Sequence, residues 1–177
     1  MNPLFTAALE IQAFCDDRDW GFCVIGGLAV ERWGEPRFTR DVDCTVLAGL
    51  GDEAPYIDGL LAHFAARIAE ARAFALTNRV LLLASSAGIP IDVALSGVAF
   101  EARMIGRATP YRLSDAATLS TCSAEDLVVL KAFAGRDRDW ADIAGVLQRQ
   151  AGKLDEGADR AILVTAVVDR ACGRQRA

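Results

Sequence analysis

Apolar positions recur along this chain at two spacings, one helical and one extended. Over residues 4–14, LFTAALEIQAF, Leu4, Leu9, Ile11 and Phe14 fall near the helical period, and the DDRD run that follows closes the segment before Trp20-Gly21. This spacing predicts a covering helix. Residues 22–25 form a short apolar run of strand type, broken by Gly26-Gly27, with a short helix expected over about 28–33. After a loop, a second strand carries Asp41 and Asp43, with Val42 and Cys44 pointing into the core. Residues 49–55 read as loop from their Gly, Asp and Pro content, and residues 57, 60, 61, 64 and 68 form a stripe that predicts a helix over 56–69. Residues 80–84 and 89–95 are apolar runs of strand length separated by SSAG, which suits a hairpin.

Downstream, a helix is expected over 97–107 and a short strand over 111–113. Ser123 with Asp126 three residues later resembles a helix-starting cap ahead of Leu127-Val128-Val129-Leu130, and that helix should end near Gly135. The next begins around Asp137 and turns Trp140, Ile143 and Leu147 inward. A last helix is expected over 156–168, followed by a frayed tail carrying Arg170, Arg174 and Arg176. These elements predict an α+β chain with a mixed sheet of about four or five strands, helices packed on one side and a helical C-terminal part. With 177 residues, 53% of them hydrophobic, one domain is expected, with core motifs over 20–95 and the helical part over 97–170.

Charge and cysteine content narrow the surroundings. No stretch of about 18 uncharged apolar residues offers a membrane span, and the start lacks a basic signal region, so a cytoplasmic protein without a membrane partner is expected. Five scattered cysteines at 15, 23, 44, 122 and 172, without a CxxC, fit neither a disulfide framework nor a zinc site. A net charge of −5 removes any general attraction to nucleic acid, leaving only local basic patches. The single histidine, His63, excludes a histidine-built metal site, and Arg103, Arg107 and Arg112 read as a solvated face.

The chemistry lies in the carboxylates. Asp41 and Asp43, two residues apart on a strand, project from one face and repel unless a cation lies between them. Oxygen donors suit a divalent ion. Asp92, inside the apolar run IPIDVAL, needs a partner if buried. If its strand lies beside the Asp41–Asp43 strand, three carboxylates converge, a set able to hold two Mg2+ ions that clamp nucleotide phosphates while the carboxylate nearest the attacking hydroxyl helps remove its proton. Gly26-Gly27 allow phosphate oxygens close to the backbone at a helix start. Taken singly, a Gly-Gly is most often a turn and a DxD an exposed polar face; the order of the pieces is what makes them informative.

Gly26-Gly27, a thirteen-residue interval, Asp41-Val42-Asp43 and the later Ile91-Asp92-Val93 resemble the DNA polymerase β-type nucleotidyltransferase superfamily. RFTRDVD, residues 37–43, and EDLVVLKAFAGRDRDWADI, residues 125–143, are similar to the AbiE-type toxin nucleotidyltransferases. The resemblance covers roughly residues 20–150. It implies the nucleotidyltransferase fold, triphosphate contacts at Gly26 and Gly27, magnesium at Asp41, Asp43 and Asp92, and Asp92 as general base. It also implies Lys131 as the active-site lysine, Asp139 as the acid of the closing RD motif, and phosphate contacts at Arg37 and Arg40. Without the resemblance, Lys131 reads as a solvated helix residue and Asp139 as a first-turn carboxylate paired with Arg136 or Arg138.

The expected activity is Mg2+-dependent transfer of a nucleoside monophosphate from a nucleoside triphosphate to an acceptor hydroxyl. Family resemblance implies RNA, such as tRNA 3′ ends, or a protein side chain as acceptor, in a toxin with an antitoxin partner. Two alternatives stand beside it. One is modification of a small hydroxylated molecule of aminoglycoside type, which predicts an acidic acceptor pocket. The other is a non-catalytic nucleotide-binding or regulatory module.

Overall fold

The computed structural model describes residues 2–154; the helix expected over 156–168, the arginine-bearing tail and Cys172 lie outside the described residues. Helix α1 (Pro3–Asp16) starts at Asn2, whose side chain accepts the Leu4 N–H at 3.0 Å, and buries Ala7, Ala8, Ile11, Phe14 and Cys15. Strand β1 (Phe22–Val24) leads into α2 (Gly26–Trp33), which begins at the two glycines rather than after them. Strand β2 (Val42–Leu47) follows the irregular segment 34–41.

Residues 56–69 depart from the helix expected there. Helix α3 (Glu53–Leu61) ends early, residues Ala65–Ala66 form the short edge strand β3, and a separate helix α4 (Ala71–Asn78) follows. Phe64 is buried all the same, with its ring 5.4 Å from that of Phe14. It satisfied the helical stripe while reaching the core from a turn, and pairing with a sheet edge overrode the helix propensity of an alanine-rich segment. His63 packs its ring 4.9 Å from Phe14 and 4.8 Å from Phe64, a structural placement.

Strands β4 (Val80–Ala84) and β5 (Pro90–Ser96) form the expected antiparallel hairpin. Beyond α5 (Ala99–Gly106) lie β6 (Thr109–Arg112) and β7 (Thr118–Thr121). Strand β7, TLST, gave no apolar run to read, because it is built of small polar residues around one buried Leu119. Helix α6 (Ala124–Ala134) has the anticipated cap: Ser123 Oγ accepts the Asp126 N–H at 3.1 Å, and Gly135 closes it at φ 65°. Helix α7 (Asp137–Arg149) buries Ile143, whereas Leu147, expected inward, is exposed.

The strands make one mixed seven-stranded sheet in the order β3-β4-β5-β2-β1-β7-β6. The strands beyond those expected are the two-residue edge β3 and the polar β7; the short strand expected over 111–113 is the outermost strand β6. Helices α1, α3 and α4 cover one face, where Val42, Cys44, Val46, Ile91, Val93 and Leu95 join one core. Each such fully buried aliphatic side chain contributes about 1.5–3 kcal/mol. A second core gathers Cys23, Ala29, Val30 and Cys122 under α6 and α7, which hold Leu127, Val128, Ile143 and Val146. Over β2, β5 and β4 the face opposite α1 is left half-open, and there Asp43 and Asp92 alternate with the buried residues.

The four described cysteines are buried and unpaired. Burial pushes the Cys15 and Cys23 thiols up to about 12, so they behave as small apolar residues rather than nucleophiles. Among the described residues no helix is long and apolar enough to cross a membrane.

Candidate active site

Strands β2 and β5 run parallel with Asp43 opposite Asp92, so the register itself sets these carboxylates side by side on the half-open face. Asp41 stands just before β2, two residues from Asp43, where the Thr39 hydroxyl donates to its Oδ1 at 3.0 Å. One oxygen from each of Asp41, Asp43 and Asp92 lies within 4.8 Å of the others.

Three half-buried carboxylates so close repel one another. Burial first, then Asp41, raises the Asp43 carboxyl above its ordinary range against the Gly27 amide, Lys131 and Arg136. Burial likewise raises Asp92; Arg67, ion-paired to its Oδ1, pulls it down, and Asp43 and Asp41 push it back up. An all-oxygen donor set, strained by its own charge and open to one side, fits a hard divalent cation.

Gly26 has φ 59°, and a Cβ there would lie 2.0 Å from Asp43 Oδ2. A Cβ on Gly27 would meet Thr39 Oγ1 at 2.5 Å. Both glycines therefore let the start of α2 close against the carboxylate loop, and the Gly27 N–H points to Asp43 Oδ2 at 3.4 Å.

Lys131 is buried, not solvated. Its Nζ lies 3.0 Å from Asp139 Oδ1 and 2.8 Å from Asp142 Oδ2. Arg136 closes on Asp139 at 2.7 Å, and the Asp139 carboxylate also accepts the Arg136 backbone N–H at 3.2 Å, capping α7. Arg37 makes a two-pronged pair with Asp142 at 2.7 and 3.0 Å. Burial works against the charge on Asp139, but the hydrogen bonds from Arg136 and Lys131 outweigh it and hold its carboxyl at about 2. Asp142 is lowered in the same manner, with burial opposed by Arg37 and Lys131.

The cleft over these groups has a volume of about 470 Å³ and is lined by Arg37, Phe38, Thr39, Arg40, the three carboxylates, Lys131, Arg136 and Arg138. Arg37, Arg40, Lys131 and the metal-type carboxylates anticipated from sequence thus meet in one place. Asp139 sits behind Lys131, and Gly26 and Gly27 sit against Asp43. Sequence reasoning missed Asp142, Thr39 and Arg67 as members of this neighbourhood; of the two arginines it offered Asp139 as partners, Arg136 makes the pair and Arg138 lines the cleft. Asp142 lies three residues after Asp139 on one helix face, a spacing that was legible. Arg67 had no signal, because its segment was read as helix. Away from the cleft, Arg107 pairs with buried Asp126 and Arg112 with Asp115.

This arrangement of sheet, helices and carboxylates is the nucleotidyltransferase fold. The chain is similar to ANT(2″)-Ia in complex with adenylyl-2″-tobramycin, with a TM-score of 0.60 and 15% identity over 96% of this chain and 98% of that one. It is also similar to the lincosamide antibiotic adenylyltransferase LnuA bound to lincomycin, at TM-score 0.54 and 12% identity over 80% of this chain and 94% of that one. An antigenic nucleotidyltransferase-like protein from Paracoccidioides brasiliensis matches at TM-score 0.55 and 16% identity, covering 96% and 87% respectively. No protein-family model and no curated protein matches the chain.

Proposed function

We propose that the protein transfers a nucleoside monophosphate from a nucleoside triphosphate to an acceptor hydroxyl, with release of pyrophosphate. The observation that carries this reading is the direct register of Asp43 with Asp92, completed by Asp41, in a cleft whose other charged lining residues are all basic. Two fold neighbours, one named a lincosamide antibiotic adenylyltransferase and one in complex with adenylyl-2″-tobramycin, add to it.

In this reading Asp41, Asp43 and Asp92 hold the Mg2+ ions. Bound there, the metal would supply charge neutralisation at the triphosphate and orient its α-phosphorus for in-line attack. Asp92, whose carboxyl is raised, accepts the acceptor hydroxyl's proton as the new O–P bond forms and the α–β phosphoanhydride bond breaks. Arg40 and Arg138 have no carboxylate partner among the described residues and serve the phosphates. Lys131 and Asp139 act together with Asp142 as a buried brace that fixes α7 and, through Arg37, the loop before Asp41.

The acceptor we favour is anionic, an RNA 3′ end. Apart from the metal-holding triad the cleft lining has no carboxylate to pair with the ammonium groups of an aminoglycoside. A toxin paired with an antitoxin protein is the specific form of this reading implied by the AbiE-type resemblance. The second reading is antibiotic modification, favoured by the names of the fold neighbours.

Incubation with each α-labelled nucleoside triphosphate, Mg2+ and either total RNA or an antibiotic panel separates them. Label in RNA supports the favoured reading, and label in a small cation supports the second. Nucleotide binding without any transfer would leave a binding module.

A further inference from the structure

We infer that Arg67 is a built-in counter-ion of the third carboxylate, competing with divalent metal for Asp92 and setting the affinity of the centre. This inference rests on the metal-dependent reading above.

Its basis is a row of residues across three strand pairings. Ala66 pairs with Leu83, so Arg67, one residue beyond β3, stands beside Leu82, and its backbone N–H donates to the Leu82 carbonyl at 3.0 Å. Leu82 pairs with Asp92, and Asp92 with Asp43. The guanidinium reaches across the intervening strand to Asp92 Oδ1, while both side chains remain about one-third exposed, at 31% and 32%.

Asp43 has no such partner. Its neighbours on the open face are Asp41 and Asp92, with the Gly27 amide 3.4 Å away. The triad is therefore asymmetric: Asp41 and Asp43 are free to take a cation, whereas Asp92 must exchange one positive charge for another. That exchange makes full assembly of the centre conditional on the second charge being strong enough to displace or tolerate Arg67. A lone metal meets this repulsion directly; a metal arriving with an anionic triphosphate brings charge that offsets it. The arrangement disfavours metal bound without nucleotide.

The test is Mn2+ binding to the full chain without nucleotide, read from the electron paramagnetic resonance signal of free Mn2+, with thermal melting as a folding check. Arg67→Gln should bind Mn2+ about tenfold more tightly than wild type, because one unit of repulsion is removed. Arg67→Lys should stay near wild type. In the Asp92→Asn background, Arg67→Gln should bring little further gain, since the competed ligand is gone. Unchanged or weaker binding in folded Arg67→Gln overturns the inference and makes Arg67 an orienting residue only. That outcome leaves the catalytic reading standing if wild type binds Mn2+ and Asp41→Asn does not. Wild type that binds no Mn2+ even with a nucleoside triphosphate added overturns both.

Discussion

Asp43 and Asp92 are register partners in the parallel pairing of β2 and β5, two like charges held side by side by the backbone. Such a pair is destabilising by up to about 1 kcal/mol unless a cation relieves it. Metal-free Asp43→Asn should therefore be more stable than metal-free wild type at pH 7. The sign follows from the raised Asp43 carboxyl, above its unfolded value of 3.8. The folded state holds that proton more tightly, so its contribution is present at low pH and lost as pH rises through the folded value. The advantage of the Asn variant should shrink on acidification. Added Mg2+ should reverse the order, since binding stabilises only the wild-type site. Chemical denaturation at two pH values, with and without Mg2+, checks all three statements.

The Lys131 brace makes a contrasting prediction. Lys131→Met leaves Asp139 and Asp142 buried beside Arg136 and Arg37 but without their shared ammonium. A loss of about 3 kcal/mol is expected in urea unfolding, the scale for breaking a buried ion pair. Lost activity in this variant would then need a folding control before it could be assigned to chemistry. Because Asp139 is held at about 2, its contribution is complete above the unfolded value of 3.8 and falls away as pH drops toward 2. Wild type should show that acid-range loss of stability, and Lys131→Met should show less of it.

Glycine placement yields a third expectation. Gly26→Ala meets both a left-handed backbone at φ 59° and a collision with Asp43 Oδ2. The backbone alone costs about 1–2 kcal/mol, and moving the carboxylate should abolish metal binding as well. Gly106→Ala, on α5 with nothing within 4 Å of the added methyl, should instead be neutral or stabilising by up to about 1 kcal/mol. Melting curves with Mn2+ titrations distinguish the two.

Arg138 is exposed at the cleft rim without a carboxylate partner among the described residues. Arg138→Ala should raise KM for the nucleoside triphosphate several-fold with little change in melting temperature. A surface side chain lost without a buried partner costs little stability, about 0.5 kcal/mol at most. Steady-state kinetics on the same preparation used for melting checks this.

What the sequence revealed of this site follows from how local each signal is. The Asp41–Asp43 face was legible because strand alternation is a two-residue rule, and the β4–β5 hairpin because SSAG joins two apolar runs. Ser123 and Gly135 marked the ends of α6 by cap chemistry alone. The segment 56–69 misled because Phe64 and Ile68 occupy helical positions in sequence while reaching the core from the bends on either side of a two-residue edge strand. With that edge strand went Arg67. Strand β7 was hidden by its polar residues, and the burial of Lys131 by carboxylates eight and eleven residues further on, beyond a helix break. The acceptor had no sequence signal, since the fold alone admits many acceptors.

The most direct test of the central claim is pyrophosphate release coupled to label transfer, measured side by side for wild type and folded Asp43→Asn with Mg2+, each α-labelled nucleoside triphosphate and total RNA. The account expects transfer by wild type and a loss of at least about a hundredfold in the variant, about 2.7 kcal/mol of transition-state stabilisation. Equal transfer by both proteins, or nucleotide bound by wild type with no pyrophosphate released toward RNA or any small hydroxylated acceptor, would contradict it.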